Sequence, residues 1–206
     1  MAIKDYKYET ILKLNKIFKL GYVPSRGKES YEEKNSDGLA FCTLINCFGH
    51  ACFNLKNSQL EVFDCDESRN FGNHIEYPGQ PNYEIARNLF DFIKAVGLKV
   101  RRVGKNCIPG TNQWLVALYF AKSMFDGTNQ DYHFMLREKD GIWSHKMGHK
   151  KTVDYCSKPP RSFVSNAYYR YTLYGYFLLS NPYAKSKDLN LQDAKFIEAE
   201  TEATEC

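Results

Sequence analysis

No stretch of this 206-residue chain reaches the roughly 18 consecutive apolar side chains of a membrane-crossing helix, so no membrane span is expected. The opening residues, Met1 to Tyr8, are polar and charged and lack the apolar run of a signal peptide. The expectation is synthesis in the cytoplasm without signal-directed export, which leaves lysis, a virion or a specialised secretion system as routes out. The seven cysteines, at 42, 47, 52, 65, 107, 156 and 206, contain no Cys-x-x-Cys pair, and a structural zinc site usually shows one. Cys47 and His50 would be half a site, needing Cys65 or His74 to complete it. No metal and no cofactor are therefore expected. An odd number of irregularly spaced cysteines also argues against a disulfide framework, and they read as free thiols.

What is present suits one globular domain. A chain of this length buries roughly 70% of the surface its unfolded form exposes. Apolar residues make up 43%. Much of the aromatic content, 15 Tyr and 14 Phe, lies between positions 114 and 183. The net charge is +4, unevenly placed: residues 187–206 hold six acids and two lysines, leaving 26 basic against 18 acidic side chains elsewhere. The chain divides into a single domain over 1–185 and a polar, acidic tail over 186–206. A basic body favours anionic partners such as an anionic glycopolymer or nucleic acid, although solubility alone explains it as well. Nucleic acid is not assigned as a partner.

Ile11, Leu14, Ile17 and Phe18 recur at helical spacing over 5–20. Residues 24–38 are polar and turn-rich, 39–55 are apolar, and 64–82 are polar again. Asn82 is placed to cap a helix running to Val96 and stopped by Gly97. Strands are predicted over 98–103 and 114–120, the second after a Pro109-Gly110 turn. Asp140-Gly141 joins a hairpin whose arms begin at His133 and end at His145. Residues 168–179 form a last strand, and the tail reads as a loose helix. Helices first, then antiparallel strands, make the fold class α+β.

Chemistry gathers at Asn46-Cys47-Phe48-Gly49-His50. Asn46 is a good N-cap, which makes Cys47 the first helical residue. There, unpaired N–H groups and the positive end of the helix dipole lower a thiol pKa. A thiol nucleophile needs a base that titrates near neutrality, and histidine is the usual one. The hairpin brings His133 and His145 close, so that His133 faces the thiol and His145 orients it, the general triad pattern. His50, one turn after Cys47, is the alternative base but points beside the thiol rather than across a cleft. The Cys47 N–H is one expected oxyanion donor, with a second from residues 30–40 or from Gln113. Cys42 and Cys52 are expected in the core, and His149 in solvent. The tyrosine-rich strand 168–176 fits either a stacking platform or a core strand.

These residues resemble the bacterial NlpC-type cell-wall peptidases, compact papain-like enzymes. That family carries an Asp-Cys-Ser-Gly-Phe motif at a helix start, a His beginning a strand and a second His twelve residues on. Asn46-Cys47-Phe48-Gly49 is similar to the first motif. His133 and His145 match the second, with Trp143 two residues before the latter, and Pro109-Gly110 precedes an apolar strand as in the family. The run Asp131-Tyr132-His133-Phe134 through Asp140-Gly141-Ile142-Trp143-Ser144-His145 also resembles a motif of uncharacterised bacterial proteins. The likeness spans residues 40–55 and 109–148. It implies a papain-like fold with helices on a small antiparallel sheet, Cys47 as nucleophile, His133 as base and His145 as orienting residue. The implied activity is a cysteine peptidase or amidase acting on a peptide or peptidoglycan stem, with Trp143, Tyr132 and Gln113 as substrate contacts. A non-catalytic papain-like binding module is the alternative, as is an acyltransferase using the same triad.

Overall fold

The computed structural model describes residues 5–24, 46–55, 79–147, 153–165 and 168–184. Helix α1 spans Asp5–Lys19 and buries Leu14, Ile17 and Phe18, the stripe that its spacing predicts. It stops at Gly21, whose φ of +89° is a left-handed conformation that only glycine adopts at no steric cost. The next described segment is a short helical turn at 47–53, whose second part, Gly49–Phe53, is a π-helix. Helix α2 spans Asn82–Ala95 and buries Ile85, Ala86, Leu89, Phe92 and Ile93. Asn82 does not cap it. The N-cap position belongs to Pro81, which has no side-chain bond to offer; its carbonyl accepts from the Glu84 N–H. Gly97 ends the helix as expected, at φ +96°.

Seven strands follow: β1 (Lys99–Val103), β2 (Gln113–Ser123), β3 (Asn129–Arg137), β4 (Trp143–His145), β5 (Asp154–Cys156), β6 (Ser162–Val164) and β7 (Tyr169–Ser180). They form one sheet in the order β1-β7-β2-β3-β4-β5, with β6 also on β7. Each pairing is antiparallel. The class is α+β. Leu98 lies just before β1, β2 runs longer than its apolar pattern suggests, and β7 is shifted by one residue from the expected 168–179. The three-residue strands β5 and β6 have no alternation long enough to read. The expected loop at 25–38, Cys42, Cys65, His74, His149 and the tail from 185 lie outside the described residues.

Strand β2 is buried on both faces from Trp114 to Ala121. On one face Trp114, Val116, Leu118 and Phe120 pack with α1, α2 and the helical turn, together with Tyr132, Phe134 and Leu136 of β3. Phe48 is the hub of that layer, its ring 5.3 to 6.3 Å from those of Phe53, Phe92, Tyr132 and Phe134. On the other face Leu115, Ala117, Tyr119 and Ala121 meet Met135, Trp143 and Tyr171. Among the described residues no helix covers this second layer, and the sheet curls over it. Trp143 of β4 and Tyr176 of β7 stand three strand spacings apart, about 14 Å if the sheet were flat. Their ring centroids are 5.8 Å apart.

Candidate active site

The site lies where the β3–β4 hairpin opens. The turn is as predicted: Gly141 takes φ +88°, the Asp140 carboxylate accepts from the Ile142 N–H at 3.0 Å, and Glu138 N–H bonds the Ile142 carbonyl at 2.7 Å. Only Leu136 and Arg137 of β3 pair with β4, opposite Ser144 and Trp143. Further back the helical turn lies against the β3 edge, and its cysteine meets that edge directly. The Cys47 thiol donates to the Tyr132 carbonyl at 3.8 Å, while the Phe134 N–H points at the sulfur. Those two backbone groups are ones that a paired strand would otherwise take, so the sulfur stands in the place of a neighbouring strand.

The helical turn is capped as the sequence implies. Asn46 Oδ1 accepts from the Gly49 N–H at 3.0 Å, satisfying one of the orphan donors of a helix start. Behind it, Asn54 N–H reaches the Gly49 carbonyl at 2.8 Å. That five-residue span is the π-type bond, and Asn54 itself adopts the left-handed φ of 36°. His50 points inward to hydrogen-bond the Ser144 hydroxyl at 3.0 Å. Ser144 donates in turn to the Glu138 carboxylate. His50 thus ties the turn to β4 and is not directed at the thiol.

Strand alternation sends Tyr132 and Phe134 into the helix-side layer and His133 to the opposite face, paired across to Tyr119. There the Nε2 of His133 lies 3.0 Å from the Nδ1 of His145, with the two ring planes at 86°. The histidines are thus brought together. The thiol is brought to the residue next to His133, at the sheet edge between the two faces, but its hydrogen bond goes to the Tyr132 carbonyl. Among the described residues no hydrogen bond joins Cys47 to either imidazole.

The expectation of a helix-activated thiolate needs correction. Cys47 is only 6% exposed, and its thiol is pushed up to about 12, first by burial and then by the Asp131 carboxylate. The Phe134 and Phe48 N–H groups and the Lys146 cation pull the other way and are outweighed. The reason is dielectric: losing water penalises the charged form more than one short helical turn repays. Burial also holds His133 well below the ordinary imidazole range, aided by His145 and then His50. At rest the pair is neutral thiol and neutral imidazole.

No protein-family model and no curated protein sequence matches this chain.

The structure places the three expected substrate contacts in different surroundings. The Tyr132 ring is buried between Phe48 and Phe134, and only its carbonyl reaches the thiol. Trp143 is 5% exposed and packs on Tyr176 in the concave layer. Gln113 accepts from the Gly110 N–H at 3.0 Å and lines a cleft of about 330 Å³ with Pro109, Arg137 and Lys139. Phe120 is the β2 residue opposite Tyr132, and Gln113 lies seven residues before it, about 24 Å along the strand. Gln113 is therefore no oxyanion donor for Cys47. The alternative donors at 30–40 lie outside the described residues. Among the described residues no group of three His, Cys, Asp or Glu is placed to hold a metal, and no helix is long and apolar enough to cross a membrane.

Three nearby residues carry no role that the sequence assigns. Asp131 accepts from Tyr171 Oη at 2.6 Å and from the Tyr132 N–H at 2.7 Å, and burial raises its carboxyl above the usual range. Asp131 opens the motif that contains His133, a signal that was available. Tyr171 is one of five tyrosines between 168 and 176, and nothing local sets it apart. Lys146, fully buried next to His145, had no sequence signal.

Proposed function

We propose that this chain is a cysteine hydrolase with a papain-like arrangement of a helical turn against a curled antiparallel sheet. It cleaves an amide bond in a peptide or peptidoglycan stem peptide. Cys47 is the nucleophile, His133 the base and His145 the residue that orients it. The observation that carries this reading is the 3.0 Å contact between His133 and His145 directly beside the carbonyl that holds the Cys47 thiol.

With its Nε2–H donated to His145 Nδ1, His133 keeps a lone pair on Nδ1, which takes no hydrogen bond among the described residues. Rotation about the Cys47 side chain transfers the S–H from the Tyr132 carbonyl to that nitrogen. Because thiol and imidazole are both neutral at rest, the proton moves as sulfur attacks the amide carbon. The C–N bond then breaks, the imidazolium returns the proton to the leaving amine, and a thioester remains. Water, deprotonated by the same imidazole, hydrolyses it. The Cys47 N–H, in the first turn of the helical segment where backbone donors lack intrahelical acceptors, faces the developing oxyanion.

Iodoacetamide labelling at pH 7, read by mass spectrometry in the wild type and His133→Ala, tests the assignment. Alkylation of Cys47 is expected to fall roughly ten-fold or more when the base is removed, with labelling of Cys107 and Cys156 unchanged. Equal Cys47 labelling in the two proteins would overturn it. A second reading, a non-catalytic module of the same architecture, is favoured by the raised thiol pKa. It predicts that Cys47 labels slowly and without regard to His133.

A further inference from the structure

We propose that Phe163 is a positioning residue of the imidazole pair: its ring roofs His133 and His145, fixes their mutual orientation and keeps water from the bond between them. This rests on the reading of His133 as the base of Cys47. It names a residue that the motif around the histidines does not contain.

Phe163 is the middle residue of β6, a strand of three. Its ring centroid lies 5.6 Å from that of His133, edge-on at 76°, and 6.3 Å from that of His145. On its other sides it stacks on Tyr171 at 4.9 Å and 6° and meets Tyr119 edge-on at 5.2 Å. One side chain therefore touches both imidazoles and the two tyrosines that flank His133. The chain is led to this place by bonds of its own. Tyr119 Oη donates to the Pro160 carbonyl at 2.9 Å, Leu173 N–H donates to the Arg161 carbonyl at 3.0 Å, and Ser162, Phe163 and Val164 pair with Thr172, Tyr171 and Arg170. Val164 on the same strand is 52% exposed. The strand therefore turns one apolar residue to solvent and the next one down onto the histidines.

A hydrogen bond between two rings at 86° tolerates little rotation of either. A ring packed edge-on against His133 blocks the turn about its Cβ–Cγ bond that would carry Nε2 away from His145. It also fills the space from which water would compete for both nitrogens. The groups facing His133 are His145 from β4, His50 from the π-helix, Tyr119 from β2, and Tyr171 from β7 with Asp131 bound to it. None of these side chains is itself replaced in a Phe163 variant, so the groups facing His133 stay present when the roof is removed.

The test is proton NMR titration of His133 in the wild type, Phe163→Ala and Phe163→Leu, with the pH profile of Cys47 alkylation measured on the same samples. Phe163→Ala is expected to move the His133 titration upward toward the ordinary imidazole midpoint. It should shift the acid limb of Cys47 alkylation in the same direction and slow labelling several-fold at pH 6 to 7. Phe163→Leu, which keeps apolar bulk over the pair, should restore most of both. If Phe163→Ala does not fold, Phe163→Gln, which brings a polar group of similar reach, replaces it against the Leu variant. An unchanged His133 titration in a folded Ala or Gln variant overturns the proposal. The titration needs no catalysis, so it reports on the roof even where His133→Ala leaves Cys47 labelling untouched and the hydrolase reading fails.

Discussion

His145 touches His133 from the diagonal position of the hairpin, not from directly across it. Leu136 faces Ser144, so the continued register sets Met135 opposite His145, and His133 lies one diagonal step further. A pair offset by two residues is within reach only of long or aromatic side chains, which explains the use of two imidazoles. Removing the acceptor at His145 frees His133 to rotate and to take either tautomer. His145→Ala is expected to slow Cys47 alkylation on the order of ten-fold, approaching the effect of losing His133 itself. His145→Gln, whose carbonyl oxygen can accept from Nε2, should recover part of the loss. Equal rates in wild type and His145→Ala would show that His145 orients nothing.

The buried thiol and imidazole set opposite limbs of the stability–pH curve. Cys47 titrates at about 12 in the folded chain against 9.0 for the free group. Above pH 9 the unfolded chain loses a proton that the folded chain keeps. This contribution is therefore full below pH 9 and fades as pH rises toward 12. His133 is depressed below 6.5, so below that pH the unfolded chain gains a proton first, and stability falls as pH falls. Chemical denaturation at pH 5, 7 and 10 checks both signs. His133→Gln should lose less stability between pH 7 and 5 than the wild type does. Cys47→Ala should lose less between pH 7 and 10. A wild-type curve flat from 7 to 10 would contradict the burial of the thiol.

The parts of the fold written in local chemistry were legible. The helix stripe of α1, the glycine stop of α2 and the Asp140-Gly141 turn each follow from residues a few positions apart, and the turn carried the meeting of His133 with His145. What depended on distant chain was not legible. Nothing near Gln113 says that the sheet places it at the far end of β2 from Cys47. Nothing near Cys47 says that its sulfur will meet a β3 edge seven dozen residues later and lose its water there. The sequence shows the geometry of the helix start at Cys47 but not its electrostatics, because local dipoles are visible in sequence and burial is not. Phe163 sits in a strand of three residues, too short for any alternation to declare it.

Asn46 anchors the turn that carries the nucleophile, and its contribution is separable from chemistry. The bond from Gly49 N–H to its side chain, 3.0 Å long, is an N-cap bond. Its loss costs about 1 kcal/mol, or about 2–4 °C in Tm for a chain of this size. Asn46→Ala should show that loss by calorimetry, and Asn46→Asp should retain the cap. A carboxylate so near the sulfur would also hold the thiol in its neutral form. Asn46→Asp is therefore expected to match the wild type in Tm yet label more slowly at Cys47.

Gly97 joins α2 to β1 and shows how little freedom the junction has. At φ +96° a side chain is strained by about 1–2 kcal/mol. A Cβ there would also come within 2.8 Å of the Asn15 amide nitrogen and 3.3 Å of the Tyr183 ring. That amide donates to the Val96 carbonyl at 2.8 Å, a polar tie between α1 and the end of α2. Gly97→Ala must therefore either push Asn15 aside, giving up the bond, or move α2 relative to the sheet. Gly79, at φ +76° with nothing within 4 Å of a built Cβ, carries the strain alone and serves as the control. Thermal denaturation of the two alanine variants should place Gly97→Ala clearly below Gly79→Ala, with a gap of about 1–2 kcal/mol beyond the shared strain. Adding Asn15→Ala to Gly97→Ala should cost less than Asn15→Ala costs in the wild type, since the bond is already broken. Full additivity of the two substitutions would mean that the clash is relieved by some route other than Asn15.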